Sequence, residues 1–181
     1  VPEDMMTTVE VGIRIGELAS TLRERGLFWP AAEFAGGDEM LGDVIERAPG
    51  NHTRLGNTIR RYILMVEAIL PDAAEMRAGA KTVKCVTGYD LKQLFVGSWQ
   101  TLGVLTEATL RLEAEANHDA VAGRLERDFA PLEAMHTHNE AATCEAEGVV
   151  QATWSEFLLR LKKEIDPAGV FPSIESIGAG S

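Results

Sequence analysis

The sequence predicts an α+β fold in which helices flank an antiparallel sheet. Apolar residues alternate along residues 104–112, as they do in a half-buried strand. Residues 61–70 are rich in β-branched and large apolar side chains and end at the turn pair Pro71-Asp72. Helical periodicity follows in residues 118–129 and 152–164. Helices packed on one side of such a sheet form an α+β layer.

The remaining elements follow from local signals. Residues 17–25 have a helical apolar face, and Gly26 after them is a typical C-terminal cap. Residues 31–53 contain several glycines and a proline, so they favour loop. A short helix at residues 91–95 and a return strand beginning at residues 75–78 are also expected. The predicted strands of the common antiparallel sheet are residues 9–13, 62–70 and 104–112.

Composition limits the class of protein. The 181 residues, 45% of them hydrophobic, are enough for one core, and no apolar stretch is long enough to cross a bilayer. No signal peptide is expected from the first residues of the sequence. The net charge of −11 argues against nucleic acid as a partner, because affinity for phosphate backbones comes from Lys and Arg. Cys85 and Cys144 suggest free thiols in a reducing compartment, so a cytoplasmic location is expected.

Other candidate sites are weak. His136 and His138, with Cys144 nearby, would share a face only on an extended strand, and no second pair completes a zinc set, so no metal is expected. Lys84 could neutralise an anion or be an ordinary solvated lysine. Asp90 is expected to cap the helix that follows it. No catalytic residue is assigned, since no Ser-His-Asp set, Walker loop or dinucleotide fingerprint is present.

Residues 81–112 carry the most specific signal. A tight turn at Gly88, a short helix, a glycine loop and an apolar strand follow one another without a spacer. Gly97-Ser98 and Thr101-Leu102-Gly103 would let main-chain N–H groups approach a ligand closely. A purely structural turn explains the same loop, and the residues alone leave both interpretations open.

The segment KTVKCVTGYDLKQLFVGSWQTLGVLTEATLRL resembles the signature of FAD-binding oxidoreductases of the vanillyl-alcohol oxidase and p-cresol methylhydroxylase (PCMH-type) superfamily. The likeness is strongest to glycolate oxidase FAD-binding subunits and D-lactate dehydrogenases. Residues 54–57, 69–72 and 166–171 resemble further motifs of these proteins. The resemblance implies FAD as cofactor and the second FAD-binding subdomain as fold. It implies as cofactor-binding residues Gly42, Lys84, Gly88, Asp90, Gly97, Ser98, Thr101, Gly103, Val104 and Leu105.

The chain also departs from the family pattern. Residues 1–112 are expected to form a PCMH-type subdomain without the N-terminal pyrophosphate subdomain. A short acidic insert at residues 113–153 is expected in place of the cap domain, with residues 154–181 as the closing segment. Altered turns are expected at two of the replaced glycines, Ala73 and Ala80. At a third, Gln100, a side chain is expected beside the cofactor. The five non-glycine residues at expected glycine positions are Asp43, Met65, Ala73, Ala80 and Gln100.

Two functions agree with the resemblance. The chain is a FAD-binding subunit of a glycolate oxidase-like 2-hydroxy-acid oxidoreductase that passes electrons to an iron–sulfur partner, or it is a flavin-free structural subunit of a larger complex. In both cases partner subunits or a second copy should cover an open apolar surface, unless the insert folds back and seals it. A bulky residue at Gly103 is expected to abolish flavin retention while the chain still folds. The aromatic residues expected near the contact are Phe28, Trp29, Trp99 and Phe171.

Overall fold

The computed structural model describes residues 5–48, 53–79, 91–138 and 159–171. A further helical segment covers residues 159–165, and two short 3₁₀ helices cover Pro30–Phe34 and Glu115–Asn117. The described strands are β1 (Met6–Glu10), β2 (Leu27–Phe28), β3 (Ile63–Ile69), β4 (Glu75–Gly79), β5 (Val104–Arg111) and β6 (Glu113–Ala114). The described helices are α1 (Ile15–Arg23), α2 (Leu41–Glu46), α3 (Arg54–Tyr62), α4 (Lys92–Phe95) and α5 (His118–His138).

Four strands form one antiparallel sheet in the order β1-β5-β3-β4, and β2 pairs with β6 in a small second sheet. Strand β5 lies in the middle of the larger sheet because it pairs with β1 on one side and β3 on the other. The Thr8 and Thr109 hydroxyl groups form a hydrogen bond of 2.9 Å across β1 and β5. The predicted α+β class and the antiparallel sheet are therefore confirmed.

The core joins the sheet to helices from both halves of the chain. Alternate residues of the central strands, such as Val66 and Ala68 on β3, are buried, as the period of two requires. Helix α1 contributes Leu18 and Leu22. Residues 113–129 belong to the same core, because Val121, Leu125 and Phe129 of α5 are buried in it. The part of the insert that the structure describes thus folds back onto the subdomain.

Several element boundaries differ from the sequence prediction. Strand β1 ends at Glu10 rather than extending to residue 13, because residues 11–13 turn into the first helix. Residues 54–62 are helical, so Tyr62 ends α3 instead of opening β3. Helix α2 and the 3₁₀ helix at Pro30–Phe34 lie in a region predicted as loop. Burial of apolar positions at helical spacing outweighed the local glycine signals there.

The closing segment is fastened by Asp166. Its carboxylate accepts hydrogen bonds from Lys162 Nζ at 2.5 Å, from Val170 N at 2.8 Å and from Phe171 N at 2.9 Å. Burial alone would raise the pKa of Asp166, but these hydrogen bonds outweigh it and lower the pKa to about 2. The Asp-Pro-Ala-Gly turn therefore has a structural role in this chain.

Some expectations fall outside the described residues: those at Ala80, Lys84, Cys85, Gly88, Asp90 and Cys144. His136 and His138 lie in helix α5 rather than on the extended strand that a zinc site would need. No group of three potential metal ligands is found in the described part of the chain. None of its helices is both long enough and apolar enough to cross a membrane.

Candidate functional site

The glycine loop before β5 packs against the C-terminal end of helix α2. The Gly97 amide donates to Ile45 O at 3.0 Å, and the Trp99 amide donates to Glu46 O at 2.9 Å. The last carbonyl groups of a helix have no partner within the helix, so these two bonds cap α2. Arg60 of α3 donates to Val96 O at 3.1 Å and holds the start of the loop from the other side.

Three predicted cofactor glycines contact protein atoms. A Cβ on Gly97 would lie 2.8 Å from Ala48 O, and one on Gly103 would lie 2.8 Å from Ile69 O. A Cβ on Gly42 would lie 3.2 Å from Val11 Cγ2. Gly97 also has φ of +80°, which side chains with a Cβ rarely adopt. Close packing of the loop, α2 and β3 therefore requires glycine or favours it at these positions.

The loop keeps a left-handed backbone where glycine was expected. Gln100 has φ of +60°, and its neighbour Trp99 has φ of +54°. Ala73 has φ of +63°, so this turn also holds a residue with a Cβ in the left-handed conformation. A left-handed residue with a Cβ costs on the order of 1 kcal/mol. Asp43 and Met65 differ, because Asp43 lies in a regular helix and Met65 pairs with Gly79 across the β3–β4 ladder.

Glu46 is the buried acid of this interface. Its side chain is almost inaccessible and accepts hydrogen bonds from the Gln100 side chain and from the Leu105 amide at 3.4 Å. Burial raises the pKa of Glu46, and these two hydrogen bonds offset part of the rise. The sequence analysis did not single out Glu46. The feature that could have revealed a helix at Glu46 is the helical spacing of Leu41, Val44 and Ile45 just before it.

Ser98 is the loop residue whose polar group lacks a partner. Its Oγ atom is buried and makes no hydrogen bond within the described part of the chain. Most buried hydroxyl groups do have a partner, so this one has an unused capacity to form a hydrogen bond. Its carbonyl oxygen accepts from the Thr101 hydroxyl at 2.6 Å. Trp99, the next residue, and Val104, the first residue of β5, are each 46% exposed. An orphaned hydroxyl beside exposed apolar surface fits a ligand at Ser98, whereas the neighbouring glycines are already packed.

Seven of the ten predicted cofactor residues are described. Six of them lie on the loop or at the start of β5, and Gly42 lies in the first turn of α2, which the same loop caps at its other end. Of these seven, Ser98 and Val104 present unsatisfied or exposed groups, while Gly42, Gly97, Gly103 and Leu105 are engaged with protein. The expectation that Gly103 tolerates a bulky residue conflicts with its contact with Ile69.

The expected contact aromatics are not all on the surface. Trp29 and Phe28 are buried in the core, with 1% and 5% of their area exposed, so neither can anchor a partner in this structure. They follow α1 directly and pack beneath it through the strand β2. Trp99 remains exposed, and Arg47 lies 5.9 Å from its ring centre. Phe171 is half-buried.

Comparison with known proteins finds homologues of part of the chain. The chain is 37% identical over 120 residues to a mitochondrial D-lactate dehydrogenase (cytochrome) from Arabidopsis thaliana. The aligned region covers 66% of this chain and 21% of that protein. It is 33% identical over 111 residues to glycolate oxidase subunit GlcD from Bacillus subtilis, covering 61% and 24%. The chain is homologous to part of D-lactate dehydrogenases, of the glycolate oxidase subunit GlcD and of FAD-linked oxidoreductases.

Further comparisons find other similar proteins. An uncharacterised FAD-linked oxidoreductase from Mycobacterium tuberculosis is 28% identical over 117 residues, covering 65% of this chain and 26% of that protein. The chain thus matches about a quarter or less of the length of several of its family relatives. A solved alkyldihydroxyacetonephosphate synthase has a TM-score of 0.49 at 21% identity, covering 63% of this chain and 20% of that one. No family model matches the chain.

Proposed function

We propose that this chain supplies part of the flavin site of a glycolate oxidase-like 2-hydroxy-acid oxidoreductase. Homology to FAD-linked oxidoreductases of this class supports the proposal. The structural observation that carries it is the orphaned Ser98 hydroxyl on a loop held in an unusual backbone shape. Bound FAD would supply the hydride-accepting and electron-transferring chemistry, with a 2-hydroxy acid as the donor.

The residues of this chain would hold the cofactor rather than perform the chemistry. Ser98 Oγ would donate to an acceptor atom of the flavin, and the exposed faces of Trp99 and Val104 would exclude water around it. The bonds from the loop to α2 fix these side chains before the ligand arrives, which lowers the entropic cost of binding. Gly97 and Gly103 act indirectly, by allowing that packing.

Ser98→Ala tests the proposal because it should weaken FAD binding without lowering the stability of the fold. Removal of an unpaired buried hydroxyl leaves the melting temperature equal or higher, since no hydrogen bond is lost. Affinity for FAD, measured by fluorescence titration of the purified chain, should fall about tenfold if a hydrogen bond to the flavin is lost.

Ser20→Ala is the matched control, because the Ser20 hydroxyl is exposed on α1 and bonds to Gly16 O at 2.8 Å. FAD affinity should not change in this variant. Equal affinity of the parent chain and Ser98→Ala would contradict a role for Ser98 in holding flavin.

A flavin-free structural subunit is the second candidate. The observation that favours it is the packing of Gly97 and Gly103 against backbone carbonyl groups, which explains the loop without any ligand. The same titration separates the two, since this candidate predicts no saturable FAD binding by the parent chain at any protein concentration at which it stays folded.

Partners belong to the proposal as well. An electron acceptor such as an iron–sulfur subunit would receive electrons from the flavin, and partner subunits or a second copy would supply the rest of the binding surface. The exposed apolar side chains of Trp99 and Val104 support this.

A further inference from the structure

Three arginines converge on one cavity at the far end of strand β5 from the glycine loop. The cavity has a volume of about 220 Å³ and is lined by Arg61, Tyr62, Arg111 and Arg124. Strand β5 separates it from Val104 by about 20 Å, since a strand rises about 3.3 Å per residue. The cavity is therefore distinct from the candidate flavin loop.

Two of the arginines are fixed by acidic partners. Arg61 Nη1 lies 2.6 Å from Asp128 Oδ2, and Arg124 Nη2 lies 3.0 Å from Glu113 Oε1. Each guanidinium group has five N–H donors, so these contacts leave further donors available. The ion pairs orient the two groups from α3 and α5 while keeping their charge at the cavity.

Arg111 supplies the uncompensated charge. Its guanidinium carbon lies 5.7 Å from the centre of the Tyr62 ring, and no carboxylate lies within ion-pair distance of it in the described residues. The Tyr62 hydroxyl donates to Glu113 at 3.0 Å and accepts from Arg124 at 2.9 Å, so the ring is held in place. Burial, followed by the charge of Glu113, raises the pKa of Tyr62, so the phenol stays protonated at neutral pH.

The charge balance at this cavity is opposite to that of the chain. Three guanidinium groups face two carboxylates, whereas the whole chain has a net charge of −11. Adjacent like charges repel one another, and an anion between them would relieve that repulsion. A phosphate group has several oxygens that accept hydrogen bonds from different directions, which suits three converging arginines better than the two coplanar oxygens of a carboxylate do.

We propose that this cavity binds a phosphate group, with Arg111 as its principal donor and with Arg61 and Arg124 as flanking donors. The ligand is a small phosphate compound, either inorganic phosphate or a phosphomonoester. The site is independent of flavin, so it does not rest on the proposed function.

Calorimetric titration of the purified chain with inorganic phosphate tests the site. We expect saturable binding of one phosphate per chain, weakened about tenfold or more in Arg111→Ala, because a charge-assisted donor is removed. Arg77→Ala is the control, since Arg77 is exposed on β4 and pairs with Glu67 at 2.9 Å. Phosphate affinity should be unchanged in the control.

A second variant and two further ligands complete the test. Arg111→Lys keeps the charge but not the planar fork, so we expect an intermediate affinity even if Arg111→Ala fails to fold. Comparing the affinities for glycerol phosphate and inorganic phosphate shows which source of the phosphate group is preferred. Titration with acetate at equal ionic strength tests whether the cavity prefers phosphate to carboxylate. Absence of saturable binding, equal affinity in Arg111→Ala, or acetate binding as tightly as phosphate would overturn the proposal.

Discussion

Glu46 links the protonation state of one side chain to the packing of the glycine loop. Its carboxyl group is buried, and it receives a hydrogen bond from the Leu105 amide at the start of β5. Since burial raises its pKa, the folded protein holds the Glu46 proton more tightly than the unfolded chain does. The stability that this proton provides is present below the ordinary pKa of 4.5 and is lost as pH rises through the higher folded value.

Glu46→Gln should therefore reduce the pH dependence of stability. The amide keeps an oxygen for the Leu105 N–H but does not ionise, so the variant gains stability relative to the parent as pH rises above 4.5. Urea unfolding of both proteins at several pH values measures the difference in the free energy of unfolding. A difference that stays constant with pH would show that Glu46 ionises as an ordinary exposed glutamate does.

Gly103 has a packing role that can be tested separately. In Gly103→Ala the new Cβ would lie 2.8 Å from Ile69 O, and a backbone carbonyl cannot move away cheaply. We expect a loss of about 1–3 kcal/mol in the free energy of unfolding, as for other overpacked sites. Gly123→Ala on α5 is the control, because nothing lies within 4 Å of a Cβ there. Thermal unfolding of the two variants would give similar melting temperatures if the Ile69 contact were unimportant.

At the level of elements, segments with a regular hydrophobic pattern could be predicted, whereas segments with conflicting local signals could not. Strand β5 could be predicted because its alternation is uninterrupted, and β4 because a proline turn precedes it. Helix α3 was predicted as strand in its last residue although Thr53 was available as its N-cap, where its hydroxyl accepts from Gly56 N at 3.1 Å. Its glycine and β-branched residues obscured that signal.

The candidate site could be predicted only in part for a related reason. The sequence indicated the loop from Gly97 to Leu105, but small residues allow contact with a ligand and contact with protein equally well. Only the fold shows that Gly97 and Gly103 pack against backbone carbonyl groups, while the buried Ser98 hydroxyl has no hydrogen-bond partner in the described part of the chain. Long-range contacts such as the one from Glu46 to Leu105 have no local sequence signal.

The closing segment gives a prediction on this scale. Asp166→Asn removes the ion pair with Lys162 and should destabilise the segment at neutral pH. Because the pKa of Asp166 is lowered to about 2, its contribution is present above the ordinary value of 3.8 and is lost as pH falls through about 2. The stability difference between parent and variant should therefore shrink in acid.

Chemical unfolding from neutral to acidic pH would show this convergence. Glu164→Gln, an exposed carboxylate on the same helical segment, should show little difference from the parent at any pH. If Asp166→Asn were as stable as the parent at neutral pH, the turn would not depend on this carboxylate.

The whole molecule combines an acidic surface with several exposed apolar side chains. The large exposed hydrophobic residues in the described part are Met40, Leu91, Trp99, Val104, Leu159 and Val170. Exposed apolar surface often marks a contact site, and tryptophan, here Trp99, is among the residue types that most often anchor one.

We expect the purified chain to associate with itself at micromolar concentration when no partner is present. A partner subunit that binds the same surface would prevent this self-association. Sedimentation velocity of the parent and of Trp99→Ser would show this, with weaker association in the variant and no change in Phe171→Ser if Trp99 is the anchor. A stable monomer that does not aggregate, with no partner present, would contradict the expectation.

The central claim is that the loop from residue 97 to residue 105 contacts flavin through Ser98. Amide chemical shifts of the isotopically labelled chain, followed by NMR during titration with FAD, test it most directly. The account predicts saturable shifts at residues 97–105 and at the neighbouring end of α2, with none near Arg61, Arg111 and Arg124 beyond those caused by phosphate alone. An absence of shifts at the loop, with FAD either not binding or shifting other residues only, would contradict it.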